Sequence, residues 1–300
     1  APLREAPESD PLFSPYAIDF DAAAVIDVGV PNNPSNEKQP FFYLDQFHNA
    51  QVVRKIPVKE YAETAPSIAK RQRIFIFSIG RTGSTLITQI MAAADILSIS
   101  EPDVLLDLGR RASLEKLGLT KPEWCDLYKA SVASLEASFG DPKIVATKFR
   151  AQSSNRFHVR ACHEMFPDAK FYFVFRDVSD WSRSFATKFS FTADTLKWLL
   201  TENLHSAALL RELGADVRIF RYEDIVASPE IVLENEIDDN AIMRARGNMG
   251  DVLGKDSQNG LFSNKPSSLA TNALNEHNEF MNWWQENRPV DQLSTLGLAL

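Results

Sequence analysis

RIFIFSIGRTGSTLITQIMAAA, from Arg73 to Ala94, is the stretch on which the fold turns. RIFIFSI is a short run of β-branched and aromatic residues and reads as a strand, whereas STLITQIMAAA carries apolar residues at helical spacing. Between them GRTGST makes a glycine turn, so the unit is strand, tight turn, helix. A helix N-terminus presents unpaired N–H groups and a partial positive charge, and a glycine-bearing loop leading into one suits a phosphate. Gly80 and Gly83 permit close backbone approach, Ser84 and Thr85 offer hydroxyls, and Arg81 adds a charge. The pattern departs from GxxxxGK[ST], because two residues separate the glycines and no lysine precedes Ser84. For these residues alone, a purely structural strand-to-helix turn is the competing reading.

Downstream, strand-like and helix-like segments alternate. DILSIS (95–100) reads as a second strand ending at Glu101-Pro102, KIVATKF (143–149) as a third, KFYFVFR (170–176) as a fourth, and DVRIFRYED (216–224) as a fifth. KFYFVFR is apolar enough to be buried on both faces. Helices are expected over KPEWCDLYKASVASLEASF, with Pro122 in the first turn, over 157–166, over SDWSRSFATKF, and over 196–213 with Gly214 as C-cap. Helices dominate to the C-terminus, NEFMNWWQ among them. This alternation predicts an α/β fold with a central parallel sheet of about five strands covered on both faces, and a ligand site at the carboxyl ends of the strands. Residues 1–70 show no sustained period and are expected to form an irregular arm packed on the core. Residues 71–300 would be one α/β domain with a helical C-terminal region.

The chain has 300 residues, 44% of them hydrophobic, and a net charge of −8, which argues against a nucleic-acid-coating surface while allowing a locally basic cleft. Cys125 and Cys162, the only two cysteines, are too few for a disulfide framework. No apolar run reaches the ~18 residues of a membrane span, and no basic-then-apolar leader is visible. A cytoplasmic protein is the default expectation, with the absent initiator methionine suggesting a trimmed start. No cluster of His, Cys and carboxylates has metal-ligand spacing, so no metal is expected.

The second element of interest is RDVSDWSRS. Arg176 at a strand end and Ser184 in the following helix can converge on one anion through a forked guanidinium contact and a hydroxyl, the alternative being a surface ion pair of Arg176 with Asp177. With both elements in hand, the chain resembles the sulfotransferase superfamily, whose members use 3′-phosphoadenosine 5′-phosphosulfate. GRTGSTL is similar to that family's 5′-phosphosulfate loop (PRSGTTL, PKSGTTW), FPDAKFYFVFRDVSDWSRS to its 3′-phosphate segment, and RYEDIVASPE (221–230) to its later RYED segment. The order and spacing match over Arg73–Glu230.

The resemblance implies a three-layer fold like that of P-loop NTPases, with Arg81, Thr82, Gly83, Ser84 and Thr85 holding the donor's 5′ end and Arg176 and Ser184 its 3′-phosphate. It also accounts for the missing lysine, since a donor with two separated anionic ends needs neither a triphosphate clamp nor Mg²⁺. Arg81 falls where the family stabilises charge on the leaving phosphate. Three departures stand out: Gly80 and Val178 each replace a proline, and Leu86 stands where many members contact adenine with Trp. KDSQNG offers Lys255, Ser257 and Gln258 as a substitute loop over the nucleotide.

Sulfuryl transfer to a hydroxyl or amine requires proton removal, and Glu101 after the second strand is the candidate base; a salt-bridged carboxylate at the cleft rim is the competing reading. Lys148 at the end of the third strand would stabilise the transferring group or, alternatively, sit in a structural ion pair. His158 and His163 read as packing or surface residues, and Trp283 and Trp284 as core or acceptor wall. The expected acceptor is a small-molecule, carbohydrate or carrier-bound hydroxyl. The alternatives are an ATP/Mg-dependent P-loop kinase, which would need the absent lysine, and a non-catalytic nucleotide-binding module.

Overall fold

A computed structural model of the chain describes residues 12–30, 41–189, 191–254 and 269–298. The first elements correct the expectation of an irregular arm. Strands β1 (Leu12–Asp19), β2 (Ala24–Val30) and β3 (Val52–Pro57) pair antiparallel in the order β1-β2-β3. The turn between β1 and β2 is closed by Asp19 Oδ1, which accepts from the Asp21 and Ala22 N–H groups at 3.2 and 3.0 Å. No period of two was visible there for two reasons: β1 carries a register shift between Pro15 and Ala17, and β2 is buried along nearly its whole length. Ile18, Val25, Phe42, Val58 and Tyr61 of this segment join one core with the aromatic face of the second sheet.

That second sheet is parallel and five-stranded, as read from the sequence. It comprises β4 (Gln72–Ser78), β5 (Leu97–Ser100), β6 (Ile144–Lys148), β7 (Lys170–Phe175) and β8 (Asp216–Arg221) in the order β5-β6-β4-β7-β8. Alternation along the central strands builds two cores. Phe75, Phe77, Phe171, Phe173 and Phe175 face one side, while Ile74, Ile76, Tyr172 and Val174 face the other. The helix Ser84–Ala93 covers the aliphatic face with Ile87, Ile90 and Met91; the helix Val178–Phe189 covers the aromatic face with Val178, Trp181 and Phe185. Helix, sheet, helix makes the three layers.

Strand order places the site. The chain leaves β4 towards β5 and leaves β7 in the opposite direction towards β8, so the connections after these two neighbouring strands diverge to opposite faces. The crevice between their carboxyl ends is a topological switch point, where ligands bind in such sheets. The other helices expected from the sequence start and end within a few residues of expectation. Lys121–Ala137 opens with a capping box of Thr120 and Glu123, and Ala193–Glu212 begins three residues earlier than its apolar pattern because the Thr192 hydroxyl caps it. Helices follow β8: Tyr222–Ala227, Asp239–Gly254, Leu269–Asn287 and Val290–Leu296. Among the described residues, no helix is long and apolar enough to cross a membrane.

Candidate active site

The turn after β4 is held in an unusual backbone conformation. Gly80, Arg81 and Gly83 all take positive φ, at +75°, +58° and +89°. At Gly83 there is no room for anything else, since an added Cβ would stand 2.4 Å from Cδ2 of Tyr222, the first residue after β8. Gly83 is the N-cap of the helix Ser84–Ala93 and supplies no side-chain cap. Ser78 Oγ donates to Ser84 Oγ at 2.9 Å, and Trp181 Nε1 donates to the Gly80 carbonyl at 2.9 Å, pinning the turn from both sides.

The two anion elements read from the sequence meet here. Arg81 Nε donates to Ser184 Oγ at 3.3 Å, joining residues 103 positions apart across the β4–β7 crevice. Arg176, at the end of β7, lays its guanidinium 4.8 Å from the centre of the Tyr222 ring, and its buried Nε has no hydrogen-bond partner. A buried, unpartnered guanidinium nitrogen is costly unless something anionic answers it. The Asp177 N–H, next in the chain, donates to Glu223 Oε1 at 3.2 Å, so the RYED segment braces the Arg176 turn.

On the other side of β4, parallel register sets Ser100 of β5 opposite Lys148 of β6. Glu101 then turns at φ +59°, with its N–H donating to the Lys148 carbonyl at 2.8 Å. Lys148 Nζ donates to Glu101 Oε1 at 2.5 Å and to Thr85 Oγ1 at 3.0 Å, bridging the candidate base to the first turn of the helix Ser84–Ala93. Its side chain is 3% exposed and that of Glu101 17%, so the pair is screened far less than a surface ion pair. Arg150 continues the chain of charges, 3.4 Å from Glu101 Oε2 and 2.8 Å from Asp103 Oδ1. Burial pushes the Asp103 carboxyl up to about 6, against the lowering pull of Arg150.

A cavity of about 480 Å³ unites these groups. Arg81, Gly83, Ser84, Thr85, Glu101, Lys148 and Arg176 line it, whereas Thr82, fully buried with an unpartnered hydroxyl, and Ser184 are not among its lining residues. Lys255, Ser257 and Gln258 lie outside the described residues. Sequence reasoning missed Arg150, whose signal was its place two residues past Lys148 at the same strand end, and Tyr222. It also missed the aromatic lining of Phe41, Tyr43, Phe185, Phe189 and Phe191, which carries no local signal. His158 lies apart from the cavity as a packing residue: fully buried, its Nδ1 donates to the Ser153 carbonyl at 2.9 Å, leaving Nε2 to accept from the Tyr128 hydroxyl at 2.6 Å. Trp284 is buried in the core and Trp283 packs against it. A larger cleft, about 620 Å³, is lined by Lys121, Arg156, Glu164 and His205, with Lys121 paired to Glu164 and Arg156 to Glu202. It has no glycine loop and no strand ends. Among the described residues, no His, Cys, Asp and Glu group is arranged to hold a metal.

The chain is similar to several known proteins. Among solved structures, sulfotransferase STF9 from Mycobacterium avium shares 12% identity over 76% of this chain and 79% of its own, with a TM-score of 0.44. The sulfotransferase domain of the Synechococcus PCC 7002 olefin synthase shares 17% identity over 70% of this chain and 94% of its own, with a TM-score of 0.41. Retinol dehydratase, solved with androsterone and the inactive cofactor PAP, shares 11% identity over 97% of this chain and 99% of its own, with a TM-score of 0.38. No curated protein matches. The profile of the sulfotransferase family matches residues 73–237, more than half of the chain and the whole span that carries both anion elements and Glu101. The chain belongs to the sulfotransferase family.

Proposed function

We propose that the protein transfers a sulfuryl group from 3′-phosphoadenosine 5′-phosphosulfate to an acceptor hydroxyl or amine. The observation that carries this reading is that Arg81, bonded to Ser184, and Arg176, with its unpartnered Nε, line one cavity. Two anion-binding elements on separate strands suit a donor whose 3′ and 5′ ends are both anionic. The Gly83 cradle, which a Cβ would fill, supports close approach of a phosphate to the backbone. On this reading Arg81, Thr82, Gly83, Ser84 and Thr85 hold the 5′ end, and Arg176 and Ser184 hold the 3′-phosphate; Lys255, Ser257 and Gln258 remain the proposed cover. When bound, the donor supplies an electrophilic sulfur and a stable leaving phosphate.

The chain's own residues do the rest. Glu101 takes the acceptor's proton at a carboxylate oxygen, held in place by Lys148 and Arg150. As that carboxylate is neutralised, its hold on the Lys148 ammonium weakens, and the ammonium is free to face the charge gathering near Thr85. Arg81 sits at the loop to stabilise the departing phosphate.

Calorimetry with adenosine 3′,5′-bisphosphate beside ATP with Mg²⁺ tests the donor. The bisphosphate is expected to bind more tightly, and Arg176→Ala should weaken it by about 1.5–3 kcal/mol, the worth of a charge-assisted contact. Tighter binding of ATP would sink the reading in favour of a kinase. A protein that binds the bisphosphate and turns over no acceptor would be a nucleotide-binding module.

A further inference from the structure

The helix Val178–Phe189 grips the phosphate loop with one of its faces. Trp181, Ser184 and Phe185 stand three and four residues apart along it and so project together. All three touch Gly80 or Arg81. Trp181 Nε1 donates to the Gly80 carbonyl at 2.9 Å, Ser184 Oγ accepts from Arg81 Nε at 3.3 Å, and the Phe185 ring fills the space where a Gly80 Cβ would stand. Of the three contacts, the indole bond alone fixes a peptide group. Trp181 is fully buried, packed edge to face on Phe280 of the helix Leu269–Asn287 at 5.6 Å between centroids, and is not among the cavity's lining residues. It holds the loop from behind.

The Gly80–Arg81 peptide could face either way. It is trans, so the Arg81 N–H points opposite to the Gly80 carbonyl. With the carbonyl drawn back to Trp181, that N–H is turned away from the buried indole, on the side where Gly80 and Arg81 line the cavity. Turning the peptide over would put a carbonyl oxygen there instead, and its partial negative charge would oppose an anion. The observed orientation is the strained one. Arg81 sits at φ +58°, which side-chain-bearing residues avoid; the turned-over peptide would return it to a negative φ, while glycine at position 80 adapts to either.

Resting on the sulfuryl-transfer reading, we infer that Trp181 is a positioning residue for the donor: its indole N–H holds the Gly80–Arg81 peptide with its N–H towards the 5′-phosphate, in register with the 3′-phosphate element on the same helix. Arg176 leads into that helix and Ser184 lies within it, so one rigid piece sets both anionic ends. A buried indole N–H needs an acceptor, and here the acceptor is the carbonyl whose orientation decides what the anion meets.

The test compares adenosine 3′,5′-bisphosphate with adenosine 3′-phosphate by calorimetry on the full chain, since their difference isolates the 5′ subsite. In Trp181→Phe the bisphosphate should bind about tenfold more weakly, the upper end of one net hydrogen bond, while adenosine 3′-phosphate stays within about twofold of wild type. Equal weakening of both nucleotides marks a general packing defect, and undiminished bisphosphate binding marks a bystander; either result overturns the inference. Because phenylalanine leaves a gap in the core, a second variant carries 3-benzothienylalanine at position 181, which keeps the bicyclic shape and lacks the N–H. There the bisphosphate alone decides: a loss of about tenfold supports the role, and wild-type affinity overturns it. Failure of the sulfuryl-transfer reading looks different, because the wild-type chain itself then does not bind the bisphosphate. Hydrogen exchange at residues 79–85 of the ligand-free chain becomes the readout in that case; faster exchange in the benzothienyl variant supports the held peptide, and equal exchange overturns it.

Discussion

Glu101 lies where the charged groups of the candidate site meet. Its φ of +59° is a conformation that side-chain-bearing residues avoid, at a cost of about 1–3 kcal/mol, and it persists because the Glu101 N–H is bonded to the Lys148 carbonyl at the end of β6. The turn aims the carboxylate at two cations rather than along the sheet edge. Glu101 is ion-paired and lines the cavity, a geometry that both sequence readings of it share. What separates base from structural carboxylate is turnover. Glu101→Gln keeps the shape and removes the proton acceptor; kcat should fall about 10²–10⁴-fold with adenosine bisphosphate affinity unchanged. Wild-type turnover in that variant would clear Glu101 of the role.

Elements explain why the loop has the form it does. The helix Ser84–Ala93 begins at a glycine because the ring of Tyr222, carried by the element after β8, occupies the space a side chain would need. The same ring supports the Arg176 guanidinium, so one aromatic residue spaces the two anion elements. Gly83→Ala should therefore act on both. The methyl group is strained at φ +89° and displaces Tyr222, and bisphosphate affinity is expected to fall by at least about tenfold, read by calorimetry, with thermal stability lowered by roughly 1 kcal/mol. Full affinity in this variant would show that the turn and Arg176 are independent. GRTGST announces such a turn from its glycines alone; which neighbour enforces them is not written locally, because Tyr222 lies four strands later.

At the scale of the molecule, the aromatic layer beneath the sheet carries a polar group that links folding to pH. His158 is fully buried as the neutral tautomer between Ser153 and Tyr128, and burial pulls it down to about 4 from an ordinary value near 6.5. The unfolded chain takes up the proton first as pH falls, so this contribution is complete above pH 6.5 and is lost on the way to 4. Denaturant titrations should show wild type losing about 3 kcal/mol across that window relative to His158→Gln, and equal slopes would contradict the assignment. Strand and helix alternation, the parallel sheet, and the glycine turn between β4 and its helix were determined by the sequence by itself, because periodicity, turn residues and helix-start chemistry are local properties. The N-terminal antiparallel sheet escaped that reading, its period hidden by a register shift and by a strand buried on both faces. Only the tertiary structure decided that Arg81 meets Ser184, that Lys148 ties Glu101 to Thr85, and that Phe41 and Tyr43 wall the cavity. Those contacts follow from the β5-β6-β4-β7-β8 order, which sets side by side strand ends that are far apart in the chain.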